Sequence, residues 1–307
     1  MKYQIASLLA LGILLAAACS GSEEDKRIAV VATTTQIGDF AHNIGGDRIA
    51  LSVLLEPNQD AHDFAPRPSQ IRRIAAADLV LTNGLGLDAF VDKAVGGGDS
   101  VVVLTAGIAR RDGDDGDDGG DGGDGEASFD PHVWLDVANA KRMVASLRDA
   151  LVAADAANAP AYRENAAAYL TRLAALDAEI RSEIETIPAA CRKIVTNHDV
   201  FGYYAAAYGL TIVGSIIPST SSEARASAAD VAAIADRIRA EAVPAIFTET
   251  SIDPALVRQV GREADVAVVD DLYGDSLGPA GSEGETYVGM MAANTAKIAA
   301  ALRQCGA

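Results

Sequence analysis

The sequence predicts an α/β fold of two lobes, each built on a mostly parallel sheet and joined by one long helix. Three observations predict it. Short apolar runs alternate with helical patterns in both halves of the chain, as parallel-sheet proteins require. The 307 residues, half of them apolar, suffice for two modest cores. Between the alternating stretches, residues 137–187 read as helical throughout.

The elements follow in order. Residues 28–33 (IAVVAT) read as a buried strand, 37–44 as a short helix ended by Gly45-Gly46, and 49–54 as a second strand. A loop over 56–68, rich in Pro, Asp and Asn, precedes a helix that Ser69 is expected to cap. Strands at 79–81 and 101–104 complete the first lobe, 28–136. Residues 112–125 hold seven Asp and seven Gly, which cannot build a core, so a mobile acidic loop is expected there. In the helical segment 137–187 one helix runs over about 137–154, Asn158-Ala159-Pro160 breaks it, and a second, 161–187, is the connecting helix, stopped by Pro188. In the second lobe, 188–307, strands are expected at 194–196, 211–217, 245–248 and 266–269. Helices are expected at 201–208, 228–240, 254–264 and 285–303.

Residues 1–18 read as an export signal. Lys2 gives the positive start, 5–15 an apolar stretch too short for an ordinary span, and Ala16-Ala17-Ala18 the small residues for cleavage. The run LLAAACSGS resembles a bacterial lipobox, which would make Cys19 a lipid-modified N-terminus, followed by a flexible tether over 19–27; the same Ala-x-Ala also suits ordinary cleavage. Either route places the body outside the cytoplasm. The net charge of −18 repels nucleic acid and anionic headgroups, which argues against a nucleic-acid partner. In an oxidising compartment Cys191 and Cys305 could pair or remain free thiols.

Of the four histidines, three occupy similar contexts, just after a strand or in a loop beside Asp and Pro: His62 in DAHDFAP, His132 in FDPHVWLD and His198 in VTNHDVF. Spacings of 70 and 66 residues exclude a zinc finger or an H-E-x-x-H protease, so the fold itself must gather them, at loops leaving strand ends. Asp275, in LYGDSLG, is the fourth candidate ligand. Imidazole suits Zn²⁺ and similar borderline cations, while carboxylate shifts preference toward Mn²⁺. Four protein ligands leave no open position, which favours binding over hydrolysis. Asp60, Asp63, Asp130 and Asp199 stand within two residues of these histidines, as ring partners or as helix caps. Trp134 is expected to pack beneath the site, and His42, inside the first helix, is given no ligand role. Glu249 is the nearest candidate for a general base in a metal-dependent hydrolase, and a structural carboxylate is the preferred reading of it. No catalytic or organic-cofactor residue is assigned.

At these residues the sequence resembles the periplasmic or lipoprotein solute-binding proteins of zinc and manganese ABC importers, the cluster A-I group. The resemblance rests on AHDFAPRPSQIRRIAAADLVLTNGLGLDAF (61–90), DPHVWLD (130–136), KIVTNHDVFGYYAAAYGL (193–210), IFTETSIDP (246–254) and LYGDSLGPAGSEGETYVGMMAANTAKI (272–298). It implies two Rossmann-like α/β lobes with a rigid connecting helix, and a metal held between them by His62, His132, His198 and Asp275. A monomer that hands its ion to a membrane permease powered by a cytoplasmic ATPase is expected. Manganese-preferring members often carry Glu at the third ligand position and zinc-preferring members His, so His198 points to Zn²⁺, with Mn²⁺ the alternative. Many zinc-type members also carry a His-rich loop before the second ligand, where this chain has the Asp/Gly run. That loop, with only hard oxygen donors, points the other way. Ordered ligands outweigh a flexible run whose ordering costs entropy. Deleting 112–125 should therefore leave the intrinsic metal affinity nearly unchanged by titration calorimetry; a large loss would show that the insert completes the pocket.

Overall fold

A computed structural model describes residues 27–96, 98–113, 129–217, 219–222 and 226–305. The export-signal and lipidation readings, most of the tether, and nearly all of the acidic run lie outside the described residues.

On the first side, β1 (Ile28–Ala32), α1 (Thr35–Gly45), β2 (Ile49–Val53), α2 (Pro68–Ala76), β3 (Leu79–Thr82), α3 (Phe90–Val95) and β4 (Val101–Val103) follow in order. They form a four-stranded sheet ordered β2-β1-β3-β4, with parallel pairing in every neighbour pair. The middle holds α4 (Val137–Ala154) and α5 (Ala159–Glu185). The second side then runs β5 (Lys193–Thr196), α6 (Gly202–Tyr208), β6 (Thr211–Ser215), α7 (Ala228–Ala240), β7 (Ala245–Glu249), α8 (Ala255–Ala264), β8 (Ala267–Leu272) and α9 (Tyr287–Leu302). Its sheet, β6-β5-β7-β8, repeats the topology of the first and is again parallel.

The predicted alternation and the long helix are both present. Three local differences have physical reasons. Ser69 does not cap α2. The helix opens one residue earlier at Pro68, whose fixed φ and missing N–H suit the first helical position, and Gln70 Oε1 reaches back to accept from the Arg67 N–H at 2.8 Å. α4 ends at Ala154, where the sequence places it, whereas α5 opens at Ala159, two residues early; between them stands Asp155, whose own N–H still bonds to Leu151. Its carboxylate takes the Asn158 side-chain amide and the Tyr162 hydroxyl, each at 2.7 Å. Pro160 then belongs to the first turn of α5 rather than to the break. The six-residue α3 is too short to show a helical period in sequence; Gly96, at φ 69°, ends it.

At 27 residues, α5 is roughly 40 Å long at about 1.5 Å per residue. Its face of Tyr169, Leu173, Leu176 and Ile180 is buried along the length. One continuous hydrophobic core includes Phe40 of α1, Leu81 of β3, Met143 of α4, Leu173 of α5, Phe247 of β7 and Met291 of α9, so it runs through both lobes. Smaller clusters fill the outer face of each sheet. The junction has polar ties as well. Asp39 of α1 accepts from the Tyr169 hydroxyl at 2.8 Å and from the Tyr287 N–H at 3.3 Å, while the Phe40 and Tyr287 rings meet edge-on at 4.9 Å.

Of the two readings left open for the cysteines, the structure has Cys191 and Cys305 joined as a disulfide with Cα atoms 5.8 Å apart, pinning the end of α9 to the turn after α5. The bridge closes 114 residues. Closing so long a loop removes much freedom from the unfolded chain. Cys305→Ser should lower unfolding free energy by about 2–5 kcal/mol in denaturant titrations; an unchanged midpoint would show that packing of α9 alone holds this end.

Candidate metal centre

Three of the predicted residues lie in loops just beyond the carboxyl ends of strands: His62 after β2, His198 after β5 and Asp275 after β8. Such loops border the crevice where open α/β sheets gather their ligands. The fourth, His132, sits between β4 and α4, at the head of a single 3-10 turn, 133–135. The four side chains converge although they come from separate segments: each presents one possible ligand atom, and these atoms all lie within 4.8 Å of one another.

The three imidazoles aim Nε2 at one point. His62 Nε2 and His132 Nε2 are 3.0 Å apart, and Asp275 Oδ1 stands 3.6, 3.2 and 3.9 Å from Nε2 of His62, His132 and His198. A tetrahedral shell with bonds near 2 Å puts neighbouring donors about 3.3 Å apart, so the spread matches a single small cation. His132, His198 and Asp275 are fully buried. Nε2 of His198 and both carboxylate oxygens of Asp275 have no hydrogen-bond partner although water cannot reach them. Leaving buried polar atoms unpaired is costly, and a cation placed among them would satisfy all three.

Carboxylates set the ring orientations. Asp130 Oδ1 accepts the His132 backbone N–H at 2.9 Å and lies 2.8 Å from its Nδ1. Glu249 Oε1 lies 2.9 Å from His198 Nδ1, and Glu249 Oε2 accepts the Asp275 backbone N–H at 3.2 Å. Asp130 favours a proton on His132 Nδ1, and the Glu249 charge beside His198 Nδ1, which Asn197 Nδ2 also approaches at 3.3 Å, favours one there, so each Nε2 is turned toward the cluster. Glu249 thus orients two of the four groups at once. Gly274 is required beside it, because a Cβ there would overlap the Glu249 carboxylate. The carbonyl of Gly274 in turn accepts from Gln36 Nε2 at 3.2 Å and Trp134 Nε1 at 3.1 Å, joining the two sides of the crevice. Trp134 packs edge-on beneath His132, with ring centroids 5.5 Å apart.

Burial alone would push the His132 imidazole down, but Asp130 and Asp275 outweigh it and push its pKa up to about 10. His198 is raised against the same burial by Glu249 and Asp275. Burial would raise Asp275, yet its three histidine neighbours hold it well below the usual carboxylate range.

Sequence reasoning named Asp130 as a ring partner from its proximity, and the structure agrees. For His198 it named Asp199, whereas the groups at Nδ1 of the ring are Glu249, 51 residues away, at 2.9 Å and Asn197 at 3.3 Å. His198 and Glu249 stand at the ends of β5 and β7, which pair in the sheet but are distant in the chain. His42 is exposed in the last turn of α1 and outside the cluster. The Thr33–Thr35 run turns β1 into α1: Thr34 Oγ1 caps the helix by accepting from the Ile37 N–H, and Thr33 donates to Asp88.

Two α/β lobes closing on a crevice that holds a compact donor cluster are the build of an ABC-importer solute-binding protein. The family described as "ZnuA: Zinc-uptake complex component A periplasmic" matches residues 30–301, and the chain belongs to it. Among curated relatives, the manganese-binding lipoprotein MntA of Halalkalibacterium halodurans is 30% identical over 296 residues, covering 95% of each chain. The iron-binding protein YfeA of Yersinia pestis is 32% identical over 272 residues, covering 88% of this chain and 85% of its own. Among solved structures, the periplasmic zinc-binding protein TroA of Treponema pallidum superposes with a TM-score of 0.79 at 31% identity, covering 90% of this chain and 99% of its own.

Proposed function

We propose that this protein captures one divalent transition-metal ion with His62, His132, His198 and Asp275, outside the cytoplasm, and delivers it to an ABC permease driven by a cytoplasmic ATPase. The observation that carries the reading is the buried cluster itself: four donors within 4.8 Å, three of their atoms otherwise unpartnered. Zn²⁺ is the favoured cargo, because three imidazoles and one carboxylate make a nitrogen-rich tetrahedral set. Mn²⁺ is the second reading. It draws on MntA and on the second oxygen of Asp275, which is buried, unpartnered and free to raise the coordination number above four.

The same geometry supports capture rather than catalysis. Four protein donors fill a tetrahedral shell, whereas a catalytic zinc keeps one position for water. Glu249, the residue nominated as a base, is committed to His198 Nδ1 and the Asp275 N–H. Among the described residues no helix is long and apolar enough to cross a membrane. An extracytoplasmic body, exported by residues 1–18 and tethered through a lipidated Cys19, completes the reading.

Metal-competition calorimetry tests it. Loss of a partner outside the coordination shell costs roughly 10–100-fold in affinity; loss of a ligand must cost at least the upper figure, so His198→Ala should weaken Zn²⁺ binding by about 100-fold or more. A small change would remove His198 from the ligand set.

The pH dependence has a definite sign. Asp130 and Asp275 raise the His132 pKa and so favour a protonated ring in the metal-free site, whereas a bound metal needs it neutral. Binding should release protons, seen as heats that vary with buffer ionisation enthalpy, and affinity should fall about tenfold per pH unit per released proton below that pKa. Affinity that holds constant from pH 6 to 8 would contradict a protonated resting site.

A further inference from the structure

The four donors are not equally enclosed. The side chains of His132, His198 and Asp275 are 0% exposed, whereas that of His62 is 9% exposed. Directly outside it lies a depression of about 260 Å³, lined by His62, Leu85, Gly86, Phe129, Pro131 and Thr220, with walls from both lobes. His62 borders this depression, so an ion leaving through it passes His62.

His62 is also held differently. His132 and His198 each have a carboxylate against Nδ1. At His62 the nearby carboxylate, Asp60, bonds to the backbone instead: Oδ1 accepts the His62 N–H at 2.8 Å. The other oxygen, Oδ2, accepts from the Ser222 hydroxyl at 2.5 Å, across 162 residues and from the opposite lobe. Other bonds also cross between the lobes: Gly274 is tied to the first lobe deep in the crevice, Thr35 Oγ1 accepts the Leu277 N–H at 2.8 Å, the Arg111 N–H donates to the Tyr203 hydroxyl at 3.0 Å, and Asp39 accepts the Tyr287 N–H. The loop that carries His62 has one further cross-lobe bond, from the Asn58 N–H to the Leu277 carbonyl at 3.1 Å, and it involves no side chain.

We propose that Asp60 and Ser222 form a cross-lobe latch that holds His62 in the coordination shell and sets the rate at which the ion leaves. The inference rests on the reading of His62 as a ligand and adds two positioning residues that do not touch the metal. With the latch made, the segment that carries His62 is tied through Asp60 to the second lobe, and the His62 backbone cannot move outward without breaking a half-buried bond. With the latch broken, the loop keeps its Asn58 bond to Leu277 but the segment around His62 is free to lift, and His62 departs while His132, His198 and Asp275 stay in place on their own supports. Release then begins at one ligand and needs no separation of the lobes.

The test is stopped-flow transfer of Zn²⁺ from the loaded protein to excess chelator, with wild type, Ser222→Ala, Ser222→Thr, Asp60→Ala and the Asp60→Ala/Ser222→Ala pair. Removing one hydrogen bond to a carboxylate should speed release by about tenfold in Ser222→Ala. Ser222→Thr, which keeps the hydroxyl, should restore slow release. The paired variant should release no faster than Asp60→Ala alone, because both substitutions break the same bond. The melting temperature of metal-free Ser222→Ala should match wild type. An unchanged release rate in Ser222→Ala, or rates that multiply in the paired variant, overturns the latch and leaves the ligand set standing. Failure of wild type to bind Zn²⁺ stoichiometrically overturns the ligand set, and the latch with it.

Discussion

The site depends on the continuous hydrophobic core that α4, α5 and α9 share with both sheets. Its donors come from both sides of the crevice, so their separations are only as well defined as the placement of one lobe on the other. Two lobes joined by flexible strands alone would sample many openings, and closing on an ion would cost the entropy of all of them. Here apolar side chains from both lobes meet in one packed interior, with Tyr169 and Tyr287 bonded to Asp39 across the junction. Packed interiors deform little. The crevice is therefore pre-formed, and the motion that admits or frees an ion must be sought in loops at its rim.

Charge balance governs the interior of that crevice. Asp130, Glu249 and Asp275 are buried within a few ångströms of two fully buried imidazoles. Ionised groups cannot sit in such a place uncompensated. The carboxylates raise the histidine pKa values, which favours protons as the compensating positive charge in the metal-free protein. A divalent cation supplies it instead once bound. On the proposed function, metal and protons are alternative ways of neutralising the same carboxylates, which would make the pocket an ion exchanger in the literal sense.

Much of this was legible in the sequence, and the exceptions share a cause. Alternating apolar runs gave the two sheets, and His62, His132, His198 and Asp275 stood out because each lies beside a strand end in a polar loop. Asp130 was readable because it stands two residues before the ring it supports. Glu249 was noticed, but its attachment to His198 was not, since that contact is made between neighbouring strands rather than along the chain. Asp60 was named beside His62, yet nothing local pointed to Ser222 on the far lobe. Helix α3 was missed because six residues hold too little of a period to read. Local chemistry is written in order along the chain; the pairings that the topology creates are not.

The donors are spread from residue 62 to residue 275, each on a different loop. An unfolded chain therefore offers a metal only scattered single side chains, and all useful affinity belongs to the native state. Cargo then acts as a folding ligand: each tenfold rise of free ion above the dissociation constant adds about 1.4 kcal/mol to the folded side of the balance. In the extracytoplasmic setting proposed for it, where proteases take whatever opens, the loaded form would outlast the empty one, and the lifetime of the carrier would itself report how much metal its surroundings hold.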